Sequence, residues 1–279
     1  MKKPTRPALR YFGGKWRIAP WIISHFPPHK IYTESFGGAA GVLLRKPRVY
    51  AEVYNDLDGE VCNLFRVLRN PVQGLELQRQ LKLTPFAREE FELSYLADGD
   101  PIEQARRTII RAFQGFGSDG VTGEHRTGFR VNANQSRTSP APDWVSYADS
   151  LHLFVERLRT VAIEQKPAVD VMVQHDTPRT LHYVDPPYVW STRKISRGHG
   201  YRHEMSDDDH RSLAEVLRSL QGMVILSGYA SDLYDIELFS DWKRVEREAL
   251  ADGAEKRTEV LWLNPQACAH QPMMEVHHE

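Results

Sequence analysis

An aspartate, two prolines and a tyrosine stand in a row at Asp185, Pro186, Pro187 and Tyr188, directly after an apolar run at 181–184. Two consecutive prolines fix φ and donate no backbone hydrogen bond, so the chain makes a stiff turn there. The turn presents an acceptor-only carboxylate, free proline carbonyls and an aromatic ring side by side. An exocyclic amino group on a planar base requires such groups: acceptors for its two hydrogens and a ring to stack against. A plain β-turn explains the same four residues, and the motif alone leaves both interpretations open.

A second candidate site is the stretch 34–42, which reads ESFGGAAGV. Small residues between a strand and a helix let a ligand approach the backbone, which is the general geometry of nucleotide pockets. The glycines do not follow the GxGxxG register, so packing of helix against strand is the alternative. Asp56 follows the next strand about 20 residues later, where dinucleotide-binding folds place an acid on the ribose hydroxyls. A helix cap is the alternative role of Asp56.

The third candidate is the basic N-terminal stretch, where residues 10–17 read RYFGGKWR. The GGK sequence lacks the GxxxxGK[ST] spacing of a phosphate-binding loop, and Trp16 follows the lysine. The first 17 residues carry basic side chains and no acid: Lys2, Lys3, Arg6, Arg10, Lys15 and Arg17. They form either a solvated basic tail or a segment that delivers Lys15 beside a carboxylate in a pocket.

The elements that must position these residues alternate between strand and helix. Apolar runs predict strands at 30–34, 49–54, 181–184, 223–226 and 260–263. Helical spacing and caps predict helices at 39–46, 56–69, 102–116 and 206–220, the last with a Ser206/Asp209 capping box. Strand–helix alternation indicates an α/β fold with a parallel sheet. A long polar loop at 117–142 and the helix before it indicate an inserted, mainly helical module at about 75–150.

Composition sets limits on the class of protein. The chain has 279 residues, 41% of them apolar and 26% charged, and a net charge of −1, which excludes a disordered chain and a bulk polycation. Its two cysteines, Cys62 and Cys268, cannot form a disulfide framework. There is no signal-peptide pattern and no apolar run long enough for a membrane span, so we expect no membrane association. The histidines and acids near 199–210 fit no standard ligand set, and no metal is expected.

The insert is rich in side chains that bind nucleic acid. It holds six arginines between positions 106 and 137, against two acids. Arg, Asn and Gln read base edges, and Arg also neutralises phosphate. A solvated polar loop is the alternative interpretation. The candidate DNA-binding residues are Arg126, Arg130, Asn132, Asn134 and Arg137.

The motifs YFGGK, ESFGGAAG with the following Asn55-Asp56, and DPPY occur in an order that resembles the Dam-like (D12 class, α group) adenine-N6 DNA methyltransferases. The resemblance continues through DDDH (207–210), GMVILSGY (222–229) and RTEVLWLN (257–264), and covers most of the chain outside about 75–150. It implies a Rossmann-like, S-adenosylmethionine-dependent methyltransferase domain at 1–74 and 151–279. The helical module at 75–150 would be the target-recognition domain, bound to double-stranded DNA.

The resemblance also implies roles for individual residues. Cofactor contacts carry over to Tyr11, Lys15, Phe36, Gly38, Asp56 and Asp185. Asp185 and the Pro186 carbonyl would accept the hydrogens of adenine N6 and hold it in line for methyl transfer. Tyr188 would stack on the target base, which must leave the duplex to reach the pocket. S-adenosylhomocysteine is the implied product, and neither a metal nor a covalent intermediate is required.

Two other functions remain open at this stage. The same fold could methylate another planar amino group, on an RNA base or a protein glutamine, or the chain could be a DNA-binding relative that has lost catalysis. Aspartate at position 185 and the basic insert favour DNA adenine, while the joint presence of Lys15, Asp56 and Asp185 favours an active enzyme. We expect a monomer in the cytoplasm of a bacterial or phage-infected host cell, associated with the nucleoid.

Overall fold

The structure is a computed structural model and describes residues 3–118, 120–121, 126–131, 140–193, 200–250 and 256–269. The strands are β1 (Ile31–Glu34), β2 (Ala51–Asn55), β3 (Val161–Glu164), β4 (Thr180–Val184), β5 (Met223–Tyr229), β6 (Lys243–Leu250) and β7 (Lys256–Leu263). The helices are α1 (Ala19–Ser24), α2 (Gly59–Arg69), α3 (Pro71–Leu83), α4 (Arg88–Leu93), α5 (Pro101–Gln114), α6 (Pro140–Leu158), α7 (Ala168–Gln174), α8 (Asp207–Ser219) and α9 (Pro265–Ala269). Trp190–Thr192 forms a 3₁₀ turn and Leu233–Leu238 a π-helical turn.

The strands form one sheet in the spatial order β3-β2-β1-β4-β5-β7-β6. β1 pairs in parallel with β2 on one side and with β4 on the other. β7 runs antiparallel between β5 and β6. The direction of chain progression reverses between β1 and β4, and ligands of open α/β sheets bind outside the carboxyl ends of the strands at such a point. The mixed α/β sheet predicted from the sequence is confirmed, and it brings three strand ends to one edge.

Side chains from both faces of the sheet are buried, as a parallel sheet requires. In β5, Met223 and Ile225 belong to one core cluster, and Val224 and Leu226 belong to the other. Because successive side chains of a strand point to opposite faces, the two clusters lie on the two sides of the sheet. The apolar stripes of α2, α5 and α6 fill the first cluster, and that of α8 fills the second.

The helices of the middle segment pack onto the sheet domain through a common core. Leu77 of α3, Ile109 of α5 and Leu151 of α6 belong to the same cluster as Phe65 of α2. α6 runs continuously through residue 150, where the sequence predicted that the helical module ends. Near its end, Arg157 forms an ion pair with Glu52 of β2 at 2.6 Å, with both side chains buried. The helical module therefore rests on α2 and β2.

The predicted strands all occur, the predicted Ser206/Asp209 capping box is confirmed, and a second helix start is capped by a side chain. The Asp100 carboxylate accepts hydrogen bonds from the N–H groups of Ile102 and Glu103 and caps α5. Ser206 and Asp209 form the reciprocal capping box at the start of α8. Both caps satisfy N–H groups that have no partner within the first turn of a helix.

Three local predictions were wrong. Residues 39–46 form hydrogen-bonded turns and not a regular helix, because Ala40 has a φ of +53° and the Leu43 N–H donates to the Glu34 carboxylate. The helix predicted from Asp56 begins at Gly59, because Asp58 is its cap. The predicted loop at 117–142 ends earlier, where Pro140 begins α6.

Candidate active site

A cavity opens at the carboxyl ends of β1, β2 and β4. It contains about 900 Å³ of empty space, open solvent included. All three sequence motifs contribute to its wall: Tyr11, Phe12, Gly13, Gly14 and Lys15 from the first, Glu34 to Ala39 and Gly41 from the second, and Asp185 and Pro187 from the third. The order of the strands thus brings the three motifs together at one site, although Tyr11 and Pro187 are 176 positions apart in the sequence.

The turn after β1 is held in a conformation that only glycine adopts easily. Gly38 has a φ of +45°, in the left-handed region. A Cβ atom on Gly38 would lie 2.8 Å from Cε1 of Tyr11, so the tyrosine ring packs directly on the glycine backbone. The Gly38 N–H donates to Oδ2 of Asp56 at 2.8 Å. Tyr11, Gly38 and Asp56 therefore form one contiguous part of the wall, with Phe36 beside them.

Asp56 fixes two stretches of backbone at once. Its second oxygen, Oδ1, accepts a hydrogen bond from the Asp58 N–H at 2.8 Å. Burial raises the pKa of Asp56, although the hydrogen bonds from Asp58 and Gly38 oppose the shift. Asp58, and not Asp56, caps α2 by accepting from the Glu60 N–H at 2.9 Å. The helix-cap role considered for Asp56 from the sequence therefore belongs to its neighbour.

The DPPY turn follows β4 directly, and Asp185 is its charged centre. Lys15 Nζ lies 3.0 Å from Asp185 Oδ2, and the Ser227 hydroxyl of β5 donates to Oδ1 at 2.6 Å. Lys15 also donates to the Gly13 carbonyl at 2.6 Å, so the N-terminal loop closes onto the turn. Burial acts to lower the pKa of Lys15, but the carboxylates of Asp185 and Glu259 outweigh it and hold that pKa above its usual value. Lys15 therefore faces Asp185 as a cation.

The other residues of the DPPY turn are more enclosed. Pro187 lines the cavity, while Pro186 is buried beside it. Tyr188 is only 6% exposed, and its hydroxyl donates to Oε2 of Glu259 at 2.7 Å. The Lys15 ammonium lies 4.6 Å from the centroid of the Tyr188 ring. The structure thus places Tyr188 behind Lys15 and outside the residues that line the cavity.

Glu34 is an acid of the site that sequence reasoning did not single out. It is 2% exposed, and its Oε2 accepts hydrogen bonds from the Tyr32 hydroxyl at 2.6 Å and the Leu43 N–H at 2.7 Å. Burial raises the pKa of Glu34 to about 7, against the effect of these two hydrogen bonds. The available signal was an acid at the last position of a buried strand, directly before the glycine-rich turn.

A second missed part of the wall is the segment 201–205, which lies between the DPPY turn and α8. The Tyr201 ring packs edge to face on Phe12, with ring centroids 5.2 Å apart. Arg202 forms an ion pair with Asp58 at 2.9 Å. No pattern in the sequence marks this segment, because these two contacts join residues 189 and 144 positions apart.

The arginines of the insert divide into two groups. Three are engaged in ion pairs with acids of the protein: Arg106, Arg107 and Arg111. Arg126 is exposed, and its guanidinium lies 5.1 Å from the centroid of the Tyr95 ring. Arg130 donates its backbone N–H to the Gln114 carbonyl, which pairs the two sides of the polar loop. Asn132, Asn134 and Arg137 lie outside the described residues.

The histidines and acids around 199–210 do not form a metal centre in the part of the chain that the structure describes, where no group of three or more potential ligands is assembled. His210 is buried, with Nδ1 2.9 Å from the Tyr234 hydroxyl. His203 lines the cavity, while His199 falls outside the described ranges. The described helices include none that is both long and apolar enough to cross a membrane.

Comparison with protein families identifies the chain. The model of the family D12 class N6 adenine-specific DNA methyltransferase matches residues 11–258, from the first motif to the strand that contains Glu259. The protein belongs to this family. The methyltransferase is therefore an S-adenosylmethionine-dependent enzyme of a class that methylates adenine N6 in DNA, and the seven-stranded, mostly parallel sheet is consistent with that class. No curated protein matches the methyltransferase by sequence.

Proposed function

We propose that the methyltransferase binds S-adenosylmethionine in the cavity and transfers its methyl group to N6 of an adenine flipped out of duplex DNA. The observation that carries this proposal is the convergence of the three motifs on one cavity at the switch point between β1 and β4. The Lys15–Asp185 ion pair at 3.0 Å supports it, because it joins the first motif to the last.

The residues that line the cavity suit the adenosine, the sulfonium and the methionine part of S-adenosylmethionine. Tyr11 and Phe36 offer aromatic surface, and Gly38 lines the same wall. Asp56 offers carboxylate oxygens for ribose hydroxyls, and Asp185 offers negative charge for a sulfonium or an ammonium group, with Glu34 beside it as a further acceptor. Lys15 suits the carboxylate of the methionine part. S-adenosylmethionine supplies an electrophilic methyl group when it is bound there.

Asp185 and the Pro186 carbonyl are the proposed acceptors for the adenine amino group. The amino nitrogen is a poor nucleophile, because its lone pair is delocalised into the ring. Two acceptors that take its hydrogens favour a pyramidal nitrogen and hold the lone pair toward the methyl group. The Ser227 hydroxyl and the Lys15 ammonium fix the two oxygens of Asp185, so the acceptor is oriented before the base arrives.

DNA is proposed to bind through the insert at about 75–150. A chain of net charge −1 binds a polyanion through a local positive surface. Arg126 and Arg130 belong to that surface, and we assign Asn132, Asn134 and Arg137 to it from the sequence. The three ion-paired arginines Arg106, Arg107 and Arg111 are assigned to the structure of the insert and not to DNA. A base in the stack cannot reach the enclosed Asp185, so flipping is part of the proposal.

The experiment that tests this function uses methyl-labelled S-adenosylmethionine and three acceptors: duplex DNA, RNA and a protein mixture. We expect label in DNA alone, on N6 of adenine, and thermal stabilisation of the protein by S-adenosylmethionine without DNA. Label in RNA or in protein glutamine would contradict the DNA assignment. Thermal stabilisation with no transfer to any acceptor would indicate a relative that has lost catalysis.

We also propose that the protein is a monomer and that it is cytoplasmic and associated with the nucleoid. Size-exclusion chromatography tests the first proposal, and cell fractionation tests the second.

A further inference from the structure

The side chains at both ends of the DPPY turn are held from behind by the neighbouring strands. The Ser227 hydroxyl of β5 binds Asp185, and the Glu259 carboxylate of β7 binds the Tyr188 hydroxyl at 2.7 Å. The two anchors are connected, because the Tyr188 hydroxyl also lies 3.3 Å from Ser227 Oγ. The mechanism proposed above uses Asp185 and the Pro186 carbonyl of this turn but gives Tyr188 and Glu259 no role.

Glu259 is an unusual residue for its position. It lies on β7 opposite Tyr229 of β5, and it is only 9% exposed. A buried carboxylate is unfavourable compared with an apolar side chain of similar size. Burial raises the pKa of Glu259, although Lys15 and the Tyr188 hydroxyl oppose the shift. Packing of the sheet alone therefore does not explain an acid here.

We propose that Glu259 is a positioning residue for methyl transfer, which fixes the ring of Tyr188 through its hydroxyl and thereby holds the DPPY turn, with Asp185 and the Pro186 carbonyl, in place. This inference rests on the proposed function. The ring is restrained on other sides as well, by the Lys15 ammonium at 4.6 Å from its centroid and by the Tyr229 ring at 4.6 Å, edge to face. The hydroxyl contact with Glu259 sets how deep the ring sits between them.

The test measures kcat and KM in four variants. Glu259→Ala should lower kcat about 10- to 100-fold, as misplacement of a group near the reacting atoms does, with KM for S-adenosylmethionine within about twofold of the parent. Glu259→Gln keeps an acceptor for the hydroxyl and should recover most of the lost kcat. Tyr188→Phe keeps the ring but loses the same hydrogen bond, so it should lower kcat to a similar extent. In the Tyr188→Phe background, Glu259→Ala should lower kcat little further.

Asn264→Ala is the matched control for loss of a buried polar group next to β7. Asn264 is 2% exposed and binds the backbone of Val224, Gly222 and Ala267, away from the cavity. The Asn264→Ala variant should unfold at lower urea concentration than the parent but keep the parent's kcat while folded. If Glu259→Ala behaves like Asn264→Ala, the role of Glu259 is only structural and the proposal is overturned.

Two further outcomes separate this proposal from the proposed function. Equal losses of kcat from Glu259→Ala in the parent and in the Tyr188→Phe background would show that Glu259 does not act through the tyrosine. Urea unfolding of the parent, Glu259→Ala, Tyr188→Phe and the double variant tests the contact without DNA. The two substitutions should shift the midpoint by less together than the sum of their single shifts. Additive shifts overturn the proposal whether or not the protein methylates DNA.

Discussion

Replacement of Asp56 by alanine separates two roles that the structure gives to one carboxylate. Each oxygen of Asp56 accepts a backbone N–H, from Gly38 at 2.8 Å and from Asp58 at 2.8 Å. The same carboxylate lines the cavity, where we propose that it binds the ribose hydroxyls of the cofactor. Asp56→Ala therefore affects the stability of the turn at Gly38 as well as the affinity for S-adenosylmethionine.

The two effects have different sizes. Loss of a partner for a buried N–H costs about 1–3 kcal/mol, and two such groups are involved. Burial raises the pKa of Asp56, which means that the charged carboxylate is itself unfavourable in the folded protein. Its removal therefore offsets part of the loss from the two N–H groups, and we expect the free energy of unfolding to fall by about 2 kcal/mol. A hydrogen bond to a charged group contributes about 1.5–3 kcal/mol, which predicts cofactor binding weakened about 10- to 100-fold.

Isothermal titration with S-adenosylmethionine and urea unfolding measure these quantities on the same protein. The matched control is Asp100→Ala, since the Asp100 carboxylate also accepts two backbone N–H groups but caps α5 on the exposed surface. The control should lose about 1 kcal/mol of stability and keep the parent's cofactor affinity. DNA affinity without cofactor should change in neither variant. Unchanged cofactor affinity in a folded Asp56→Ala protein would refute the ribose contact and leave Asp56 a purely structural residue.

Three other predictions follow from the site and its supports. Asp185→Ala should abolish methyl transfer, and Asp185→Asn should lower its rate by about 10²–10³, both with unchanged circular dichroism; near-parental turnover would remove Asp185 from the mechanism. Loss of Arg126, Arg130 and Arg137 should weaken DNA binding and lower the slope of log K against log salt by roughly 0.9 per lost phosphate contact, with cofactor binding unchanged; equal binding at every salt concentration would exclude these arginines from the DNA surface. Burial lowers the pKa of His182 to about 4, so protonation favours the unfolded chain, and stability should fall by about 3 kcal/mol as pH drops from about 6.5 to about 4. Urea unfolding of the parent and of His182→Gln checks this, and parallel pH dependence in the two proteins would contradict it.

Several of the residues that the sequence predicted for the site lie shortly after a strand. Gly38, Asp56 and Asp185 follow apolar runs, and the ends of neighbouring parallel strands meet at one edge of the sheet. The apolar runs do not show the order of the strands in the sheet, but they do show that each of these residues lies near the end of a strand. Lys15 was predicted beside a carboxylate only as one of two alternatives, and the structure places it on Asp185.

Glu259 is a residue whose position depends on long-range packing. Glu259 reaches the DPPY turn because β7 runs antiparallel beside β5, and no local sequence pattern predicts this pairing. The error at residues 39–46 has a similar cause, since the Glu34 side chain takes the Leu43 N–H that a helix would have used. Side-chain hydrogen bonds of this kind compete with regular backbone pairing and are invisible to helical spacing.

The most direct test of the central claim is a map of modified bases in DNA from cells that express the protein. Modification-sensitive sequencing should show N6-methyladenine at one defined sequence in cells with the parent protein. Cells with the Asp185→Ala variant at equal abundance should show none. Adenine methylation that is absent with the parent, or that persists with Asp185→Ala, would contradict the assignment of this cavity and of Asp185 to methyl transfer.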